Sequence, residues 1–233
     1  MAPDRDTADP VVGLEEVEIH LAAVKARQAE PMGELERRVA VVADRLPVEA
    51  RRRLFTLVSS AQTEAKRLIW LRRIGDAMSA ASAGVSACRR GCSACCHIAV
   101  TISEHEARLI GKELGRQPAD VAENESVTMP ALDAADAEIE AQQAKQTALT
   151  QALYGQRCQF LVDGECSIYD IRPVACRQLV NMDVDALLCR IVPGHPVLVP
   201  HLDSTTERHA YILAMGAGTR YAALSAWFPP AAG

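Results

Sequence analysis

The sequence predicts a mainly α-helical fold that carries one small β-hairpin and a cysteine-ligated metal site. Three observations predict it. Apolar residues recur at three- and four-residue steps across 14–82, the period of an amphipathic helix. Asp163-Gly164 stands between two apolar runs, the strongest short-range signal for a hairpin. Eight Cys fall into two groups, at 88–96 and 158–189. A chain of 233 residues, 49% of them hydrophobic, can bury a core without disulfides and is too apolar for wholesale disorder.

Residues 1–13 hold three Asp, two Pro and one Gly and read as a loose tail. The helical region 14–82 begins with Leu14, Val17, Ile19, Leu21 and Val24. Pro31-Met32-Gly33 breaks it. Leu35, Val39 and Val42 resume helical spacing, and Pro47 opens a further helix at its first turn. Leu54, Leu57, Val58, Ala61, Leu68, Leu71 and Ile74 continue the stripe. Over residues 1–80 acidic and basic groups balance at thirteen each, as suits a solvated helical surface.

The remaining region, 83–233, is expected to bind metal and to pack with a C-terminal helix, forming one compact unit with the helices before it. Residues 80–87 are small and flexible. A short β-type run spans 97–101. Ser103-x-x-Glu106 is a capping box for a helix that Gly115 closes. Residues 117–144 hold seven acidic groups and no Lys or Arg, a solvated linker and helix face. A long Ala- and Gln-rich helix is expected over 131–154. Pro173 starts a helix running to about Leu188. Pro193, Gly194, Pro196 and Pro200 interrupt the chain. Ser204-x-x-Glu207 caps a final helix to about Trp227, and FPPAAG is a tail.

Composition also excludes functions. The net charge of -5 and nine aromatic residues give no basis for nucleic-acid binding, which needs a basic surface or stacking platforms. No segment reaches the roughly 18 apolar residues of a membrane-spanning helix. The polar, acidic start lacks the basic and apolar regions of a secretory signal, so a cytoplasmic protein is expected. In that compartment thiols stay reduced, and the cysteines read as metal ligands or redox groups.

The first group is Cys88-Arg-Arg-Gly-Cys92-Ser-Ala-Cys95-Cys96. Gly91, Ser93 and Ala94 let backbone amides approach the sulfurs. The second group is Cys158, Cys166, Cys176 and Cys189. Cys92-x2-Cys95 is one knuckle of a four-thiolate zinc site. Cys88, Cys92 and Cys95 with one distant Cys equally suit an iron–sulfur cluster, and soft thiolates also accept copper(I). Cys95 and Cys96 are adjacent and would point apart in extended backbone. The eight thiols suit two four-thiolate sites, or one site with four bystanders. A two-residue Asp163-Gly164 turn sets Cys158 and Cys166 on opposite faces of the hairpin, whereas a three-residue loop sets them on one. Shared ligation therefore predicts the longer loop or a bulge. Arg89, Arg157, Arg177 and Arg190 each adjoin a Cys and could offset thiolate charge. His97 is read as structural rather than as a ligand.

The motifs CRRGCSACC at 88–96 and CQFLVDGECSIYDIRPVACR at 158–177 together resemble the YkgJ-type cysteine-cluster proteins, the CxxCxxCC domain to which zinc or iron chelation is ascribed. The resemblance covers about 88–189. It implies a bacterial protein binding zinc or iron through Cys88, Cys92, Cys95, Cys96, Cys158, Cys166 and Cys176. Cys189 lies outside the core motif. The first gap is three residues here, against two in the family pattern.

Two readings of different class follow. In the first, an iron–sulfur cluster serves redox, sensing, iron handling or protein modification. In the second, zinc is structural and the helices bind an unknown protein partner. Whether the chain is an enzyme stays open. Cys88-x3-Cys92-x2-Cys95 is the spacing of radical S-adenosylmethionine enzymes, but the βα units such enzymes need do not follow it. The cluster is also similar to the cysteine motif of flagellin lysine methylases.

Overall fold

A computed structural model describes residues 10–131 and 133–230. The chain is mainly helical. Four helices fill the N-terminal region: α1 (Val17–Gln28), α2 (Gly33–Arg45), α3 (Val48–Ser60) and α4 (Glu64–Ala81). Two of their breaks fall at the expected Pro31-Met32 and Pro47; the third, at 61–63, divides the stripe expected to run unbroken from Leu54 to Ile74. The longest is α4, capped by Thr63, whose side-chain oxygen accepts the Lys66 amide at 3.3 Å. Its stripe of Leu68, Leu71 and Ile74 is wholly buried.

Beyond α4 come β1 (Thr101–Ser103), α5 (Glu104–Leu114), β2 (Ser126–Thr128) and α6 (Asp136–Ala152). The hairpin strands β3 (Leu161–Val162) and β4 (Glu165–Cys166) follow, then α7 (Val174–Gln178), α8 (Thr205–Met215), β5 (Arg220–Ala223) and α9 (Leu224–Trp227). Ser103 caps α5 as expected, accepting the Glu106 amide at 3.1 Å, and Gly115 closes it in the left-handed region. Glu106 does not complete the box. Its carboxylate is fully buried and accepts instead from the Val174 amide at 2.9 Å and from the Tyr211 hydroxyl at 2.8 Å. It thereby ties α5 to the start of α7 and to α8.

Four expectations are corrected. The final helix stops at Met215; the chain then returns as β5, the middle of an antiparallel sheet ordered β1-β5-β2. Three-residue strands leave little periodicity to read. Ser204 makes no side-chain cap. The helix after Pro173 lasts only five residues, because the backbone beyond Gln178 is taken by other partners: Leu202 N–H donates to Val180 O, and Ala87 N–H to Asn181 O. Both supposed tails are anchored where they are described. Val12 is buried with its amide on Ile191 O, and Phe228 is fully buried. Residues 1–9 and 231–233 lie outside the described residues.

The N-terminal helices pack directly on the elements that carry the cysteines. Val58, Leu68, Leu71, Ile74 and Met78 share a buried cluster with Val174 of α7 and with Ala214 and Met215 of α8. A second cluster, around Ile102, Ile110, Phe160, Trp227 and Phe228, supports Cys158 and Cys166. A third joins Val42 and Ala81 to Val180 and Met182. Among the described residues no helix is long and apolar enough to cross a membrane.

Candidate metal centre

The first cysteine group is a run of tight turns. Cys92 N–H donates to Arg89 O at 3.1 Å, and Gly91 sits between them at φ 86°, a conformation that a side chain would resist. A 3-10 turn, Ala94–His97, follows. Turns bring successive thiols to one side where an extended strand would alternate them. The His97 ring nitrogen Nδ1 lies 3.2 Å from Ser93 O, within its own turn.

Both ends of this run are pinned to the second group by backbone bonds. At one end Ala87 N–H donates to Asn181 O at 3.0 Å, and Asn181 N–H donates to the Cys88 sulfur at 3.1 Å. At the other, Cys158 N–H donates to Cys96 O at 2.7 Å and Gly155 N–H to His97 O at 2.8 Å. The segments that the sequence leaves sixty residues apart are thus zipped together.

The hairpin has the shorter turn. Leu161 pairs with Cys166 and Val162 with Glu165, leaving Asp163 (φ 49°) and Gly164 (φ 77°) as the two turn residues. The expected longer loop is absent, yet Cys158 and Cys166 line the same cavity. Cys158 is not in the strand at all: Leu161 N–H donates back to Cys158 O at 3.0 Å, a turn that breaks the alternation.

A cavity of about 320 Å³ is lined by Cys88, Cys92, Cys95, Cys96, Cys158, Cys166 and Cys176. Cys189, in a 3-10 turn at Leu187–Cys189, is not on that lining. It is joined to the site through Asn181, whose side-chain amide donates to its sulfur at 3.1 Å. Sequence reasoning does not single out Asn181. The only signal was its place in Asn181-Met-Asp183-Val-Asp185, a run of residues that bond to nearby backbone.

Burial pushes the thiols of Cys88, Cys158, Cys166 and Cys176 above their ordinary range, and that of Cys189 up to about 12. Cys95 moves the other way, because Cys96 donates a hydrogen bond to it and keeps its own proton. Arg172 lowers Cys88, Cys95 and Cys166 by its charge. Its guanidinium stands 4.1 Å above the ring of Tyr169, which fixes it beside the thiols. Of the arginines next to a Cys, Arg177 is fully committed elsewhere. It pairs with Asp76 of α4 and donates to the carbonyls of Arg172 and Asp170.

Among the described residues, no three His, Cys, Asp or Glu side chains already converge as a ready metal-binding group. The thiols surround a shared space instead. The donor set still fits a soft or borderline metal: all sulfur, with N–H groups aimed at Cys88 and Cys189 and a cation nearby. Residues 87–190 match the family model CxxCxxCC, described as "Putative zinc- or iron-chelating domain". This is the domain that the two cysteine motifs resemble. The matched residues are under half of the chain; α1–α4 and α8–α9 lie outside the match. Neither a curated protein nor a solved structure matches the chain.

Proposed function

We propose that the chain binds iron in iron–sulfur form, with its ligands drawn from Cys88, Cys92, Cys95, Cys96, Cys158, Cys166, Cys176 and Cys189. One observation carries this reading: seven thiols face a single cavity of about 320 Å³. That volume is at the lower end of small-molecule sites, roughly 300–1,000 Å³, and far exceeds the room of one ion. A bound cluster supplies one-electron transfer, and the role is redox, sensing or iron handling. The chain's own residues shield and orient it. Phe160, Ile98, Val100 and Leu224 form apolar walls, and Arg172 offsets thiolate charge.

A second reading draws on the anchoring of Cys176. Its helix α7 packs on α4, and Arg177 ties that contact to Asp76. Such anchoring also serves a closed structural zinc site. Anaerobically purified protein decides between them. The iron–sulfur reading expects a brown chain whose visible absorption bleaches on reduction with dithionite. A colourless chain that holds zinc overturns it in favour of the structural module.

A further inference from the structure

We infer that Asn181 is a positioning residue that presents Cys88 and Cys189 together as neighbouring ligands of one metal, and so makes a ligand of a cysteine that stands off the cavity lining. The inference rests on the metal-binding reading above and goes beyond it by naming the residue that completes the site. Cys88 lines the cavity and Cys189 does not. The two are distant in the chain, yet both sulfurs accept from Asn181. Its backbone N–H donates to Cys88 at 3.1 Å, and its side-chain Nδ2 donates to Cys189 at 3.1 Å. Both nitrogens belong to one residue, so the two sulfurs are neighbours. Such donors favour thiolate over thiol, and thiolate is the form that binds metal. As a thiol, Cys88 also donates to Leu179 O at 3.6 Å; metal displaces that proton, and the Asn181 N–H stays.

The amide cannot turn round. The Asp183 N–H meets it at 2.8 Å, and an N–H needs an acceptor, so the atom facing Asp183 is Oδ1. Nδ2 therefore faces Asp185 O, at 3.1 Å, and the Cys189 sulfur. The Asn181 carbonyl accepts the N–H of Ala87, the residue before Cys88. Every polar group of Asn181 is thus bonded, and the residue is buried. Its loop is clamped by helices outside the family match. Arg27 of α1 donates to Asp183 at 2.7 Å and to Asp185 at 3.1 Å, the two residues that orient the amide. Arg38 of α2 donates to Asp183 O at 2.8 Å. The chain just past Cys189 is anchored as well: Ile191 N–H donates to Pro10 O at 2.7 Å, and Val12 N–H donates to Ile191 O at 2.9 Å. Donors fixed before metal arrives need no ordering when it binds, as suits an outer partner that orients a ligand. Any residue but proline would supply the N–H to Cys88. Only the side chain reaches Cys189, so substitution separates the two.

The test uses the full chain, stripped of metal and titrated anaerobically with Zn²⁺ against a competing chelator. Asn181→Asp keeps the acceptor for Asp183 and removes the donor to Cys189. It should lower Zn²⁺ affinity about 10- to 100-fold, and Cys189→Ala by at least as much. Because Asn181 acts through Cys189, adding Asn181→Asp to Cys189→Ala should cost little more. A merely structural Asn181 costs the same factor in both backgrounds. Cys88→Ala should weaken the same ion as Cys189→Ala, so that the two together weaken no second one. Circular dichroism confirms that each variant is folded. If Asn181→Asp does not fold, Asn181→Ser, whose hydroxyl stops one bond short of Nδ2, takes its place in the same comparison. A folded Cys189→Ala chain that binds Zn²⁺ as tightly as wild type, an Asn181 effect that is equal with and without Cys189, or a second ion weakened in the double cysteine variant overturns the inference. A wild-type chain that takes up no Zn²⁺ and holds no iron overturns the underlying metal-binding reading, and the inference with it.

Discussion

Gly75 is where the N-terminal helices meet the helix that carries Cys176, and Gly75→Ala tests that junction. A Cβ at this position would lie 2.6 Å from the Cβ of Arg177. Carbon atoms in contact sit at about 3.5–4.0 Å, so α4 and α7 would have to separate by about 1 Å. They are not free to do so. Arg177 is bonded to Asp76, Arg172 and Asp170, and Ser79 donates to Arg177 O at 3.3 Å. Overpacking costs about 1–3 kcal/mol, while Ala in place of Gly in a helix returns up to about 1 kcal/mol. The expected net loss is about 1–2 kcal/mol, read by urea denaturation of the metal-free chain. Gly33→Ala is the control: a Cβ there meets nothing within 4 Å, and a gain of about 0.5 kcal/mol is expected. If Gly75→Ala is as stable as wild type, the close α4–α7 contact is wrong.

Further expectations concern the buried groups. Glu106→Ala leaves the buried Val174 amide without its acceptor, while Tyr211 keeps Ser103 Oγ at 3.0 Å and Arg72 keeps Glu113 at 3.0 Å, so a loss of about 1–3 kcal/mol is expected by denaturation. Glu106→Gln, which keeps the bond to Val174, should lose clearly less. Because burial holds Cys88, Cys158, Cys166, Cys176 and Cys189 protonated near neutral pH, metal must displace their protons. Affinity should therefore fall as pH is lowered, by up to about 10⁴ per pH unit for four thiols, measured by competition with a chelator. In the metal-free chain the same raised thiols contribute stability that is full below their ordinary value of 9.0 and lost as pH rises above it. Thr63→Ala should lower stability by about 1 kcal/mol through the lost cap on α4.

The helices 14–82 were legible because their period is long and their breaks are written in Pro31, Gly33 and Pro47. The sheet was not, since β1, β2 and β5 are three or four residues long and pair across 92 to 122 positions. The helix expected over 173–188 failed for a similar reason. Its sequence permits a helix, but contacts with Ala87, Cys88 and Leu202 claim the backbone from 179 onward. At the site, spacing marked all eight cysteines, and the structure brings seven to one cavity. What spacing could not show was which thiol neighbours which, because that depends on the turns at 88–97 and 158–161. Nor could it show Asn181, whose part comes only from its place between two distant sulfurs.

The most direct measurement is the iron, zinc and acid-labile sulfide content of the full chain after anaerobic purification, repeated on a variant with all eight cysteines replaced by serine. The account predicts iron with matching sulfide in the first and neither in the second. A wild-type chain that carries no metal, or a serine variant that keeps it, would contradict the claim that these thiols are the site.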